Sequence, residues 1–193
     1  MDKIYPVQAL AELALALDGV GVAWVLGGST ALSMRGAPIG RAPRDIDIYA
    51  DEDAVERIHA RLARMAEDSP TPSVTDRYRS ILSHYRIGDT VVELVGDFQV
   101  EAFGSRYRTE VVRLLNPAGD TYRVQGCAVK LVPLGHDAIF NVLRGRSDRC
   151  ELLDYLIRQE PPRHMPTLRS LLDANALTAE TRERILGYVA GIQ

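Results

Sequence analysis

Apolar residues recur at helical spacing over Val7–Leu17, with Val7, Leu10, Leu13, Ala14 and Leu17 on one face, and the run stops before Gly19. Val22–Leu26 is a short apolar run and predicts a buried strand, ended by Gly27-Gly28-Ser29. Thr30–Met34 predicts a short helix, and Gly36–Pro43, with two prolines and two glycines, predicts a loop. Asp45–Tyr49 alternates acid with apolar residue, the period of a strand. Glu52–Glu67 is strongly amphipathic, with Val55, Ile58, Leu62 and Met65 along one helical face. Ser69–Ser73 reads as a Pro/Ser/Thr turn.

Two hairpins are expected next. Ser80–Ile87 and Thr90–Val95 flank Gly88-Asp89, a pair that accepts positive φ. Glu110–Leu115 and Thr121–Gln125 flank the longer turn Asn116–Asp120, and Ala128–Leu131 predicts a last strand. After Pro133 the pattern becomes helical: His136–Leu143, Glu151–Gln159, Thr167–Asp173 and Thr178–Val189, with a three-proline linker at Glu160–Pro166. The expected fold is α+β, a mixed β-sheet flanked by helices over residues 1–132 and a helical C-terminal region over residues 133–193.

Composition narrows the class. The chain has 193 residues, 25% of them charged, and a net charge of −3. That length supports a hydrophobic core without disulfides or metal staples. The slightly acidic balance argues against bulk binding to nucleic-acid backbone. The longest near-apolar stretch, Gly19–Gly28, is too short to span a bilayer, and no basic segment precedes an apolar run, so a cytoplasmic location is expected. Cys127 and Cys150 are the only cysteines and read as reduced, buried thiols. The four histidines are scattered, so a His/Cys zinc site is not expected.

Candidate chemistry concentrates in Val25–Tyr49. Residues i and i+2 of a strand share a face, so Asp45 and Asp47 present two carboxylates together while Ile46 and Ile48 enter a core. Paired carboxylates repel unless a cation lies between them, and hard oxygen donors suit Mg²⁺ shared with phosphates. A solvated acidic edge would show the same Asp-x-Asp. Gly27-Gly28-Ser29, between a strand and a helix, permits close backbone approach and offers N–H groups and a hydroxyl to phosphate. Glu93 is a lone acid in Val91–Val95, costly there unless paired or metal-bound.

This order of strand, Gly-Gly-Ser, helix, Asp-x-Asp strand and later acid resembles the nucleotidyltransferase superfamily of the DNA polymerase β type. Arg41-Ala-Pro-Arg-Asp45-Ile-Asp-Ile is similar to the Arg-x-Thr-x-Asp-hydrophobic-Asp pattern of its small bacterial members, with Pro43 where the pattern has Thr. Those members include antibiotic nucleotidyltransferases and abortive-infection toxins. The resemblance covers about residues 5–132. It implies Mg²⁺-dependent transfer of a nucleoside monophosphate from an NTP to a hydroxyl through a two-metal site. Asp45, Asp47 and Glu93 would be the catalytic and metal-binding acids. Gly27, Gly28 and Ser29 would cradle phosphates, with Arg41 or Arg44 neutralising charge. Asp97 and Asp89 are alternative third acids, Lys130 is a candidate to reach the site, and His84 reads as a packed or edge histidine. Leu143–Asp148 matches a tail motif of that subgroup only in degenerate form, lacking its lysine, and takes no role.

The acceptor stays open at this level: a small molecule, an RNA end or a protein side chain. Two other readings share the same fold, a non-catalytic nucleotide-sensing or partner-binding module and the toxin of a toxin–antitoxin pair.

Overall fold

The computed structural model describes residues 5–189. Helix α1 (Val7–Leu17) leads to a two-residue strand β1 (Val25–Leu26), a short helix α2 (Gly28–Met34) and strand β2 (Asp45–Ala50). Helix α3 (Glu52–Leu62) follows, extended by a 3-10 turn. Four strands come next: β3 (Thr71–Val74), β4 (Tyr78–Ile87), β5 (Thr90–Ala102) and β6 (Ser105–Arg108). A π-helical turn at Val111–Leu115 and the short helix α4 (Asn116–Ala118) precede β7 (Asp120–Val124) and β8 (Cys127–Leu131). The chain closes on α5 (Leu134–Leu143), α6 (Ser147–Ile157), α7 (Pro161–Ala174) and α8 (Ala179–Val189).

The strands form one mixed sheet in the order β3-β4-β5-β2-β1-β8-β7, with β6 paired to β5. Strand β2 runs parallel to β5 and antiparallel to β1. The alternation of β2 divides the protein into layers. Ile46 and Ile48 are fully buried in a cluster with Leu10 and Leu13 of α1 and Val55 and Ile58 of α3. Tyr49 belongs to a second cluster on the opposite face, shared with Val95, Ile139 of α5, Leu168 of α7 and Ile185 of α8. The helical tail therefore buries its apolar stripes against the same sheet face that carries Asp45 and Asp47.

Several expectations need correction. The strand expected over Val22–Leu26 is confined to Val25–Leu26, because Gly19 and Gly21, both at positive φ, wind the chain just before it. The segment Ser69–Ser73 is not simply a turn: Thr71–Val74 pairs with β4, and Pro72 is tolerated because β3 is the sheet edge. The second hairpin does not form as expected. Glu110–Leu115 is not a strand; Val111–Leu115 winds into a helical turn whose first N–H groups are satisfied by Asp51, with Oδ1 accepting from Val111 at 2.7 Å and Oδ2 from Val112 at 2.8 Å. Strand β7 pairs instead with β8 around Gln125-Gly126, both at positive φ. Finally, Glu160–Pro166 is no linker. Pro161 and Pro162 occupy the first turn of α7, where no intrahelical N–H is needed, and Leu168, Leu171 and Leu172 carry the helix past Pro166 by burying its inner face.

Candidate active site

The site is built where β1 ends, α2 begins and β2 meets β5. Asp47 and Glu93 are Cα partners in the parallel β2–β5 pair, and Asp45 lies two residues before Asp47 on the same face. Gly27 and Gly28 are dictated by β2. The Gly27 N–H donates to the Asp47 carbonyl at 2.9 Å, and a Cβ on Gly27 would fall 2.3 Å from Cε2 of Tyr49. Gly28 stands at φ +62°, and a Cβ there would fall 1.8 Å from Oδ2 of Asp47. No side chain other than hydrogen fits, so the Asp47 carboxylate lies directly against the first turn of α2. The Thr30 hydroxyl donates to the Asp45 carbonyl at 2.7 Å and ties α2 to the start of β2.

A cavity of about 340 Å³ collects Gly28, Ser29, Arg41, Asp45, Asp47 and Glu93. Of the residues expected at the site, Gly27 does not line it but underlies Tyr49. Arg44 lines a neighbouring cavity of about 360 Å³ that shares Ser29, Arg41 and Asp45 with the first. The alternative acids lie elsewhere: Asp97 accepts from Arg108 at 2.7 Å, and Asp89 sits in the β4–β5 turn. Lys130 donates to the Gly119 carbonyl at 3.0 Å and lines neither cavity. His84 is an edge histidine paired with Asp68 at 2.6 Å.

The opposite wall comes from the helical tail. Asp137, Phe140, Asn141 and Arg144 fall on one face of α5, at spacings of three, four and seven, and look into the cavity with Arg146 and Arg149. Arg149 donates to the Ser29 hydroxyl at 2.9 Å, so α6 reaches the Gly27-Gly28-Ser29 turn directly. Arg144 stacks its guanidinium 4.9 Å from the Phe140 ring centroid. Arg146 is held by a two-point pair with Asp148. Arg144 and Arg146 fall in Leu143–Asp148, the degenerate tail match that takes no role in the sequence reading, and the structure brings both to the cavity; Asp137, Phe140, Asn141 and Arg149 carry no signature of their own.

Charge repulsion and burial are concentrated on two carboxyls. Asp47 is pushed up to about 7 by burial, then by the Asp45 and Glu93 charges, with Arg144 opposing. Asp137 is likewise pushed up to about 7 by burial, with Asp47 adding and Arg35 and Arg149 opposing. Its Oδ2 is buried without a hydrogen-bond partner. Among the described residues Glu93 makes no ion pair, and no three His, Cys, Asp or Glu side chains close into a ready-made metal cage. What the arrangement offers is a row of hard oxygen donors facing a row of guanidiniums across one small cavity.

The family model for the nucleotidyl transferase AbiEii toxin of type IV toxin–antitoxin systems matches residues 8–132. The chain belongs to this family. The matched span holds the Gly-Gly-Ser turn and all three acids, whereas the arginine-bearing tail lies beyond it. Among solved structures, a Thermotoga maritima protein assigned as a nucleotidyltransferase superposes with a TM-score of 0.59 at 23% identity, covering 78% of this chain and 91% of its own. The antibiotic-resistance factor ANT(2'')-Ia superposes at 0.47 with 15% identity, covering 96% of this chain and 89% of its own. The lincosamide adenylyltransferase LnuA superposes at 0.46 with 11% identity, covering 77% and 96%. No curated protein sequence matches the chain. The chain is thus a nucleotidyltransferase of the AbiEii toxin family, with the α+β fold expected from its sequence.

Proposed function

We propose that this nucleotidyltransferase moves a nucleoside monophosphate from an NTP to a hydroxyl on a cellular acceptor, and that this modification underlies a toxin activity countered by an antitoxin. The observation that carries the reading is that one cavity is lined by Asp45, Asp47 and Glu93 together with Arg41, Arg144 and Arg149. The donor chemistry fits Mg²⁺. The acids are hard oxygens, and the glycine at position 28 leaves room for a carboxylate that any side chain would displace. Asp45, Asp47 and Glu93 would hold the ion, with phosphate oxygens completing a shell the acids alone leave open. Bound Mg²⁺ supplies neutralisation of triphosphate charge and acidification of the acceptor hydroxyl.

The chain's own residues perform the rest. Arg149 and Ser29 hold phosphate oxygens at the start of α2, and Arg41 adds charge from the loop before β2. Guanidiniums suit this task because their planar fork binds phosphate at two points. Apposition of the tail over the sheet excludes bulk water from the α-phosphorus. Among the described residues no helix is long and apolar enough to cross a membrane, and an NTP donor suits a cytoplasmic location.

A second reading, a nucleotide sensor without turnover, is favoured by one observation: the acids do not close into a cage by themselves. A thermal-shift panel of ATP, CTP, GTP and UTP with and without Mg²⁺, followed by pyrophosphate detection with an acceptor library, separates the two. Transfer predicts a Mg²⁺-dependent shift, pyrophosphate release and loss of both in Asp47→Asn. A shift without release supports the sensor. No Mg²⁺-NTP shift in the wild type removes both readings.

A further inference from the structure

Asp47 and Glu93 line two cavities, and the second has a different character. It occupies about 260 Å³ on the β4 side of the two acids. The cavities share Asp47, Tyr49, Glu93, Phe140 and Arg144 as a common wall. Beyond that wall the second cavity is aromatic. Tyr78 stacks on Phe98 at 5.9 Å, Phe98 stacks on Tyr49 at 6.0 Å, and Phe140 meets Phe98 edge-on at 5.3 Å. Ser73 of β3 and Ser80 of β4 add hydroxyls to its rim.

One local feature produces this surface. Asp97 takes positive φ within β5 and shifts the alternation, so that Phe98 joins Val95 in the cluster on the site face of the sheet. The same bulge shows in the β4–β5 pairing, where Asp97 and Phe98 together stand opposite Ser80, while Ser80 keeps the ordinary alternation of β4 with Leu82. Without it, alternation from Glu93 would turn Phe98 to the other face.

We propose that this aromatic cleft receives the acceptor, and that it selects a small, neutral molecule whose hydroxyl is carried on or beside a planar ring. The inference rests on the transfer reading above. In an in-line displacement the nucleophile enters opposite the leaving pyrophosphate. Phosphates held by Ser29 and Arg149 leave toward α2, so the acceptor must approach from the far side of Asp47, which is this cleft. The acceptor oxygen forms its bond to the α-phosphorus, the bond from the α-phosphorus to the bridging oxygen breaks, pyrophosphate departs, and the hydroxyl proton passes to solvent.

The selectivity follows from charge and size. The cleft's charged side chains are Asp47, Glu93 and Arg144, all on the shared wall. A polycation finds only acids already committed to the transfer centre, and a polyanion finds one guanidinium. A planar ring finds the half-buried ring of Tyr78, backed by the buried Phe98, where offset stacking contributes beyond simple burial. A volume of about 260 Å³ equals the share of roughly nine liquid waters, room for one ring system with a short substituent.

The test uses the full chain and three probes: adenosine and N-acetyltyrosinamide as neutral ring-bearing hydroxyl compounds, and neamine as a polycation. Saturation-transfer NMR without nucleotide should show both ring probes bound and neamine unbound. Tyr78→Ala should weaken the ring probes at least tenfold, and Tyr78→Phe, which keeps the ring, should restore them. Both variants should keep the Mg²⁺-ATP thermal shift, which also verifies that they fold. Absence of ring-probe binding to wild type, equal binding by Tyr78→Ala, or preferential binding of neamine overturns the proposal. Because the probes are read without nucleotide, a missing Mg²⁺-NTP shift in wild type sinks the transfer reading separately.

Discussion

Asp47 of β2 and Glu93 of β5 are directly opposite each other in a parallel strand pair, and both side chains leave the sheet into the same cavity. With Asp45 alongside, three carboxylates share one small space that is also lined by Arg41 of the loop before β2 and by Arg144, Arg146 and Arg149 of the tail. The protein carries that repulsion as a cost, which a cation bound among the three acids would relieve. The following expectations test this relationship and the scaffold that enforces it.

The Asp47 carboxyl is raised to about 7 in the fold from an ordinary value of 3.8. The folded state therefore holds its proton to higher pH than the unfolded chain. The associated stability is fully present below about pH 4 and is lost as pH rises through about 7. Asp137 titrates in the same direction. Asp47→Asn should melt above wild type at pH 8, by on the order of 1 kcal/mol or a few degrees, and show no such gain at pH 4. Calorimetry at the two pH values measures it, and an equal difference at both would show that the carboxyl is not destabilised by its neighbours.

Gly28→Ala places a Cβ into Asp47 and forces an L residue to φ +62°. The backbone term alone is about 1–2 kcal/mol. Gly126→Ala is the matched control, because φ there is +84° and nothing lies within 4 Å of the added carbon. Both variants should lose stability in urea, but only Gly28→Ala should also lose Mg²⁺-ATP binding. Retained binding would mean that Asp47 need not lie against α2.

Arg149 bridges the tail to Ser29. A charge-assisted hydrogen bond is worth about 1.5–3 kcal/mol, so Arg149→Ala should weaken ATP roughly ten- to hundredfold by titration calorimetry. Arg149→Lys should recover only part, having lost the two-point fork. Unaltered affinity in the alanine variant would remove the tail from nucleotide binding.

Asp51 caps the helical turn at Val111 and Val112 from the far end of β2. Asp51→Ala leaves those N–H groups without their partner and should cost about 1–2 kcal/mol in equilibrium unfolding. It lines none of the three cavities, so Mg²⁺-NTP binding should persist at temperatures where the variant is folded.

Much of the candidate site was legible because its signals are local. Alternation in Asp45-Ile46-Asp47-Ile48 determines which residues share a face, whatever the sheet around them. A Gly-Gly-Ser turn between a strand and a helix marks a close backbone approach, although the approaching groups are the Asp47 carboxylate and the Tyr49 ring. Glu93 stands out because an acid inside an apolar strand needs a reason to be there. The helical tail was visible from its apolar spacing after Pro133.

What the sequence by itself determined is therefore the set of acids, the turn beside them and the α+β class, all readable from periods of two and three to four residues. The tertiary structure decided who faces whom. Glu93 reaches Asp47 only because β5 pairs with β2 in register, and Glu110–Leu115 is not a strand because Val111–Leu115 turns helical under a carboxylate 60 residues away. The tail arginines enter the candidate site because α5 and α6 bury their apolar faces on the side of the sheet that carries Asp45 and Asp47, and Phe98 faces the cleft because one residue at positive φ shifts its strand. Each of these depends on contacts between segments far apart in the chain, and local periodicity carries no information about such contacts.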